Sequence, residues 1–284
     1  MDKISVVIVG NIAYDINTFP KRDDGKDKIV VNRGGSGYYS LVPASLFTKT
    51  GIVARVGNDF DVDQLKKYKI DLEGLKVINN SLTTKFHHTY LTSDGQTRTF
   101  KPEIYKETLI NIDDFPETYY AAKYIHIATN FPEVQEQFID KIRKHSNAII
   151  SIDTHEAYME KESNYIKKIF DKVDIAFIDK EYTELLNCKA PIKIIKNGKN
   201  GCSYSSEELN FDSKTKECKV IDKTGAGDVV TGVFLAMMSI TNNPKKSLDK
   251  AVEVATISVS NYGVDFLYEE VLDEKRIKSS RKSI

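Results

Sequence analysis

Six short apolar runs recur along this 284-residue chain, and longer amphipathic segments lie between many of them. The apolar runs cover residues 5–9, 51–56, 124–128, 148–152, 175–178 and 192–195. Short runs of this kind are typical of strands buried on both faces, and segments such as 134–144 and 165–173 are typical of the helices that cover them. Because alternating strands and helices build parallel sheets, we predict an α/β fold, a doubly wound and mostly parallel sheet flanked by helices, in one domain over residues 1–284.

Two segments interrupt this alternation. Residues 15–32 are polar and contain Pro20 and Gly25, and residues 83–101 place Asp94-Gly95 between two β-rich arms. Asp-Gly between such arms is a strong hairpin signal. Since these strands cannot join a parallel core, we expect them to form a small β sheet of their own.

Composition and charge exclude several classes of function. The 41 basic and 41 acidic side chains balance, which argues against a nucleic-acid partner bound through bulk positive charge. The three cysteines, Cys188, Cys202 and Cys218, form no Cys-x-x-Cys pair and are expected to be reduced thiols rather than zinc ligands. No apolar run approaches the length of a membrane span, and the chain enters strand-like sequence almost at once. We therefore expect a cytoplasmic protein with no membrane partner.

The most informative local feature is residues 222–232, Asp-Lys-Thr-Gly-Ala-Gly-Asp-Val-Val-Thr-Gly. Three small residues, Gly225, Ala226 and Gly227, stand at a predicted strand-to-helix turn. They let the backbone turn sharply and leave N–H groups open at the positive end of a helix, where a phosphate or a developing anion is stabilised.

Asp228 stands at the start of a predicted buried helix over 229–240, and a strand is predicted over 218–221. Its carboxylate could take a proton from a hydroxyl, and a base beside an anion site is what phosphoryl transfer to an alcohol requires. A capped helix alone also explains these residues, because Asp is a favoured N-cap and Gly is common in loops.

A second glycine cluster, Arg33-Gly34-Gly35-Ser36-Gly37, precedes an apolar run over 39–47. It again places backbone N–H groups at a predicted helix start. No Gly-Lys-Ser/Thr follows, so the cluster is not a Walker A loop.

Taken together, these motifs resemble those of the ribokinase-like (PfkB) carbohydrate kinases. Residues 222–228 resemble the C-terminal signature of that family, and Gly34-Gly35 is similar to its N-terminal Gly-Gly motif. Further matches follow in the expected order at residues 9–15, 55–59, 195–201 and 255–264. The resemblance spans about residues 4 to 266.

The resemblance implies a ribokinase-like fold in which segments 15–32 and 83–101 form a lid over the sugar site. It implies transfer of the γ-phosphoryl of ATP to a sugar hydroxyl, with Mg²⁺ on the phosphates, Asp228 as the base and the backbone of 225–227 as the anion hole. Implied substrate-binding residues are Asp15, Gly34, Gly35 and Tyr39. Implied nucleotide-binding residues are Lys196, Asn197, Gly198, Gly201, Thr224 and Asn261.

Two further implications are left open. Asp222 and Thr224 resemble positions that bind a monovalent cation in some relatives, which adds K⁺ as an optional cofactor. Lid strands in this family often pair between subunits, so a homodimer through the lid is one option and a monomer the other.

The sequence departs from the family pattern at three places. Tyr39 replaces an Asn of the Gly-Gly motif, which suggests a narrower or more apolar pocket. Residues 153–157 and 179–182 differ from the usual strings after two central strands. Residues 179–182 stand where the family has a motif that is linked to magnesium through a carboxylate. In this chain Glu181, Glu184 or neither supplies that carboxylate, so we assign no metal ligand.

Three functions remain open at this point: a sugar kinase, a nucleoside kinase of the same fold, and a catalytically silent sugar- or nucleotide-binding regulator. Histidines add little to the choice. His87 and His88 are adjacent on a predicted strand and therefore point to opposite faces, so they cannot chelate one metal together. His155 follows a predicted strand end, where ligand contacts are favoured in α/β folds.

Overall fold

The chain alternates strands and helices in the order that its apolar runs predict. The computed structural model describes residues 3–20, 27–91 and 98–270. The strands are β1 (Val6–Val9), β2 (Ala13–Phe19), β3 (Lys28–Gly34), β4 (Thr50–Gly57), β5 (Ile70–Asp71), β6 (Leu75–Ile78), β7 (Lys85–Tyr90), β8 (Arg98–Glu103), β9 (Tyr124–Ile127), β10 (Ile149–Ile152), β11 (Ile175–Asp179), β12 (Ile192–Lys196), β13 (Cys202–Ser205) and β14 (Asn210–Ser213). The α-helices are α1 (Ser36–Ser45), α2 (Pro132–His145), α3 (Glu156–Phe170), α4 (Thr183–Leu186), α5 (Ala226–Thr241) and α6 (Pro244–Ser258).

The central sheet has the order β14-β13-β12-β11-β10-β9-β1-β4-β5, with β6 also paired to β4. Its strands are parallel from β12 through β5, and only β13 and β14 at one end run antiparallel. The six predicted apolar runs are β1, β4, β9, β10, β11 and β12. The predicted doubly wound, mostly parallel α/β fold is confirmed.

Helices cover both faces of this sheet because each central strand is apolar on both sides. In β1, Val6 and Ile8 pack in one core cluster with α1, α5 and α6. Val7 and Val9 point the other way, into a cluster with α2 and α3. Helices α1 and α5 approach closely at Gly232, where an added Cβ would lie 1.9 Å from the carbonyl oxygen of Ser40.

A second, four-stranded sheet lies apart from this core and has the order β3-β2-β7-β8. We call it the lid sheet. It is antiparallel except for the β2–β7 pair. Its strands come from the two segments that interrupt the alternation, as predicted, while the Asp94-Gly95 turn and Gly25 lie outside the described residues.

One local prediction is wrong. Residues 218–221 form no strand: the last strand, β14, ends at Ser213, and the chain then runs irregularly to the 222–228 loop. Val220 is 49% exposed, and the N–H of Ile221 donates to the carbonyl oxygen of Val259 after α6 instead of joining a sheet. The amphipathic segment 165–173 lies largely within α3, which spans Glu156–Phe170 and contains a kink at Glu162.

Among the described residues, no helix combines the length and the apolar character needed to span a membrane.

Candidate active site

The candidate site lies where several central strands end. Asp153 follows β10, Asp179 ends β11, and Lys196 ends β12. Because these strands are parallel, their carboxyl ends share one edge of the sheet, which is where ligands bind in open α/β folds.

The 222–228 loop leads into α5 at this edge. Gly225 has a φ of +74°, a left-handed conformation that favours glycine, and α5 begins at Ala226. The backbone N–H groups of Gly225, Ala226 and Gly227 therefore stand at the N-terminus of a 16-residue helix.

The Tyr39 ring packs directly against this loop at Gly225. An added Cβ at Gly225 would lie 2.2 Å from the Tyr39 ring, so the loop rests directly on that ring. Tyr39 is 2% exposed, and its hydroxyl faces the Asp15 carboxylate; burial and this carboxylate raise the pKa of Tyr39 well above its usual range. The structure thus places Tyr39 directly beneath Gly225 and beside Asp15.

Asp228 stands in the first turn of α5 and is half-buried. Burial raises its pKa well above the usual range of a carboxyl group, and the nearby Asp153 raises it further, while Lys196 acts in the opposite direction. A carboxylate whose charge is disfavoured holds a proton more tightly, which suits a general base.

Lys196 is the cation of the site. Its Nζ lies 2.6 Å from Oδ2 of Asp153 and 3.6 Å from Oδ1 of Asp179. Burial acts to lower the pKa of Lys196, but the two carboxylates raise it above its usual range, so the side chain stays charged. The same Nζ lies 3.3 Å from the position of an added Cβ at Gly227, which puts a positive charge beside the start of α5.

Asp153 is the buried partner of this lysine. Burial raises the pKa of Asp153 to about 6, although Lys196 lowers it. The Asp153 carbonyl also accepts a hydrogen bond from Gln135, which fixes the end of β10.

Asp15 lies on the lid sheet, near enough to Asp228 for its charge to raise the pKa of that carboxyl group. It is 1% exposed, and an added Cβ at Gly34 would lie 2.4 Å from its carboxylate. Gly35 has a φ of +84°, and an added Cβ there would lie 2.6 Å from the carbonyl oxygen of Asn11. The Gly-Gly pair therefore lets β3 turn into α1 directly against Asp15.

Burial raises the pKa of Asp15 to about 7, with Tyr39 lowering it and Asp222 raising it. Its Oδ1 is buried and has no hydrogen-bond partner among the described residues. A buried polar atom without a partner is costly, so this oxygen is suited to accept a hydrogen bond from a bound molecule.

The predicted nucleotide residues divide into three places. Thr224 lies in the 222–228 loop with Lys196 beside it, and Asn197, Gly198 and Gly201 form the turn between β12 and β13. In that turn Gly201 has a φ of +90°, and an added Cβ would meet the carbonyl oxygen of Ser213 at 2.0 Å. Asn261 is exposed in the turn after α6, where its Oδ1 accepts from the N–H of Tyr262.

The described residues contain no cluster of three or more side chains suited to hold a metal ion. Glu181 and Glu184 are exposed. The Asp179 carboxylate is half-exposed, and its Oδ1 lies 3.6 Å from Nζ of Lys196. This set is compatible with Mg²⁺, because Mg²⁺ in phosphoryl-transfer sites takes most of its ligands from phosphates and water.

Sequence reasoning missed the side chains that line the lid. Asn17 follows Asp15 by two residues on β2 and therefore shares its face, a signal that strand alternation offered. His88 and Phe100 lie on this inner face, with ring centroids 5.2 Å apart, and His155 lies 5.5 Å from Phe100 on the opposite wall.

His87 and His88 do point to opposite faces, as predicted. His87 contacts Glu103 at 3.2 Å on the outer face. Burial lowers the pKa of His88 to about 3, so this inner ring is neutral at physiological pH.

Comparisons with known proteins identify the family and the fold of this chain. Residues 3–270 match the family model described as pfkB family carbohydrate kinase. A search of curated proteins found no match.

Solved structures share the fold at low identity. A fructokinase with bound ATP from Xylella fastidiosa has a TM-score of 0.76 at 15% identity, covering 96% of this chain and 99% of its own. The nucleoside kinase of Methanocaldococcus jannaschii has a TM-score of 0.75 at 19% identity, covering 96% and 98%. An Escherichia coli protein assigned as ribokinase II, with ATP and Mg²⁺, has a TM-score of 0.77 at 17% identity, covering 95% and 99%. With its family model matched over nearly the whole length, the chain belongs to the PfkB family of carbohydrate kinases.

Proposed function

We propose that this protein transfers the γ-phosphoryl group of ATP to a hydroxyl of a small sugar or sugar derivative. The observation that carries the proposal is the position of Asp228, a half-buried carboxylate in the first turn of α5, one residue after the backbone donors and beside charged Lys196. A base, an anion site and a cation at one point are what this transfer needs.

The acceptor hydroxyl gives its proton to Asp228 as its oxygen forms a bond to the γ-phosphorus. The bond between that phosphorus and the β,γ-bridging oxygen breaks at the same centre, and ADP leaves. The N–H groups of Gly225, Ala226 and Gly227 stabilise the charge that develops on the phosphoryl oxygens, an effect of about 3–4 kcal/mol per donor at comparable sites.

Lys196 supplies a fixed positive charge beside this backbone. Its bond to Asp153 holds the Nζ at the edge of the sheet, so that no reorganisation is needed when phosphate enters. Mg²⁺, which would neutralise charge on the ATP phosphates, is expected near Asp179. K⁺ is a weaker proposal, because the Asp222 carboxylate already accepts hydrogen bonds from Asn17, Tyr90 and Thr224.

Asp15 orients the acceptor through its unpaired Oδ1, and the lid sheet excludes water that would otherwise hydrolyse ATP.

The aromatic inner wall of His88, Phe100 and His155 favours a second candidate, a nucleoside acceptor with a base stacked on the lid. The Burkholderia thailandensis nucleoside kinase, crystallised with inosine, has the same fold at 13% identity. The intact 225–228 backbone argues against a silent regulator.

We also propose that two copies associate through the outer face of the lid. Ile29 and Val31 lie on edge strand β3 and are 65% and 59% exposed. An apolar edge strand is a template for pairing with a second strand. A Val31→Lys variant should then be a monomer in light scattering; a monomeric wild type would refute this.

We also propose that the protein is cytoplasmic, because its three cysteines are unpaired.

The kinase is tested by ADP release with Mg-ATP against pentoses, hexoses, amino sugars and nucleosides. We expect one class of acceptor to be turned over, and Asp228→Asn to lower kcat by about 10²–10⁴-fold. Asp249→Asn, an exposed carboxylate of α6, is the matched control and should retain activity. Turnover that is indifferent to Asp228, or none with any acceptor, would refute the proposal.

A further inference from the structure

The lid sheet is joined to the 222–228 loop through one buried carboxylate. Asp222 is 4% exposed, and its oxygens accept from two lid side chains: Nδ2 of Asn17 at 2.8 Å and the hydroxyl of Tyr90 at 3.2 Å. The backbone N–H and the hydroxyl of Thr224 donate to the same carboxylate, at 2.9 and 2.7 Å. We call Asn17, Tyr90, Asp222 and Thr224 the lid–loop cluster.

Thr224 receives a second contact from the lid. Its Oγ1 lies 2.6 Å from the Tyr90 hydroxyl and 3.3 Å from Nδ2 of Asn17. Because Thr224 directly precedes Gly225, these bonds set the position of the chain just where the anion-hole backbone begins. Tyr90 is itself held by Phe19, whose ring stacks on it at 4.8 Å with an interplanar angle of 4°.

The other end of the Asn17 side chain is unsatisfied. Asn17 is fully buried, and its Oδ1 has no hydrogen-bond partner among the described residues, just as Oδ1 of Asp15 has none. The two residues are two positions apart on β2 and point to the same face. A buried amide oxygen without a hydrogen-bond donor is costly, and a bound acceptor molecule would supply that donor.

We propose that Asn17 binds the acceptor and couples it to the anion hole: its Oδ1 accepts from an acceptor hydroxyl while its Nδ2 holds Asp222. This inference rests on the proposed function and adds to it. The acceptor is a polyhydroxyl compound that presents one hydroxyl to Asp15 and another to Asn17, besides the hydroxyl that is phosphorylated. Tyr90 is a positioning residue in this scheme and does not touch the acceptor.

Two variants separate the loop contact from the acceptor contact. Tyr90→Phe leaves Asn17 in place and removes a hydroxyl that bonds to Asp222 and Thr224 of the loop and to Arg98 of the lid. We therefore expect kcat to fall about 5- to 10-fold, the scale of a hydrogen bond, with the acceptor KM within about twofold of wild type. Asn17→Leu removes both ends, so kcat should fall and the acceptor KM should rise about tenfold. Thr18→Val, on the same strand but the opposite face, is the control and should change neither.

Monodeoxy analogues of the best acceptor identify the hydroxyl concerned. With the wild-type protein, one analogue should have a KM about tenfold higher than that of the parent acceptor. With Asn17→Leu, the KM values of that analogue and of the parent acceptor should be equal, which is the signature of a shared contact. Full additivity for every analogue would overturn the acceptor contact of Asn17.

Hydrogen exchange of the apo protein tests the loop contact without any turnover. Amides of residues 223–228 should exchange faster in Tyr90→Phe and Asn17→Leu than in wild type and in Thr18→Val. Unchanged exchange together with unchanged kcat overturns the coupling. If wild type transfers phosphoryl to no acceptor, the proposed function and the acceptor contact both fall, and the exchange still decides the loop contact.

Discussion

At the scale of single residues, Gly225 carries two separate constraints: its φ is +74°, and an added Cβ would lie 2.2 Å from the Tyr39 ring. Gly225→Ala should lower the free energy of unfolding by about 2–4 kcal/mol, from backbone strain plus overpacking, and abolish turnover. Gly198→Ala is the matched control, because Gly198 also has a positive φ, +49°, but no atom within 4 Å of an added Cβ. It should lose only about 1 kcal/mol in urea denaturation. Equal losses for both variants would contradict the packing argument.

Asp15 makes stability depend on pH. Its pKa is 3.8 when unperturbed and about 7 in the folded protein. Between these values the unfolded chain releases a proton that the folded protein keeps. The contribution of Asp15 is therefore full below pH 4 and is lost as pH rises to 7, by up to about 4 kcal/mol.

Asp15→Asn removes this dependence. Relative to wild type, the variant should gain stability between pH 5 and pH 8 in urea denaturation, while its turnover of any acceptor is lost. A constant difference in the free energy of unfolding across this range would contradict the raised pKa.

The motifs singled out Asp15, Gly34, Gly35 and Asp228, and the structure brings Gly34 against the Asp15 carboxylate; the roles of these residues stay predictions. The sequence could not predict that the Tyr39 ring lies beneath Gly225, because that contact joins residues far apart in the chain.

At the scale of elements, β10 and β12 are joined across β11 by the bond between Asp153 and Lys196, at 2.6 Å. Lys196→Met leaves a buried carboxylate without its cation and should lower the free energy of unfolding at pH 8 by about 3–5 kcal/mol. The double variant Asp153→Asn/Lys196→Met should recover much of this stability in urea denaturation but not the activity, since the charge beside Gly227 is gone. Recovered turnover in the double variant would show that Lys196 acts only as a structural partner.

Elements were predictable where hydrophobic pattern alone decides them. The six central strands are apolar on both faces, and no other element competes for those residues. The predicted strand over 218–221 failed because its backbone bonds to Val259, a partner about 40 residues later that local pattern does not encode.

At the scale of the whole molecule, Asp265 ties the root of the lid sheet to the C-terminal part of the chain. Its carboxylate accepts from Arg33 at 2.6 Å, from the Tyr38 hydroxyl at 2.6 Å and from the Tyr68 hydroxyl at 2.7 Å. Burial acts to raise the pKa of Asp265, but these donors lower it overall. The partners are separated by 197 to 232 positions in sequence, so no motif announces them.

Asp265→Ala should therefore act at a distance. Removing the acceptor leaves Arg33 and two tyrosine hydroxyls with unmet donors, and we expect a loss of about 2–4 kcal/mol in the free energy of unfolding. Because Arg33 directly precedes Gly34, the acceptor KM should rise although Asp265 lies outside the proposed acceptor contacts. Asp249→Asn on α6, whose carboxylate pairs only locally with Lys245, is the control. An Asp265→Ala protein that is destabilised but keeps its acceptor KM would show that the network supports the fold without setting the geometry of the Gly34-Gly35 turn.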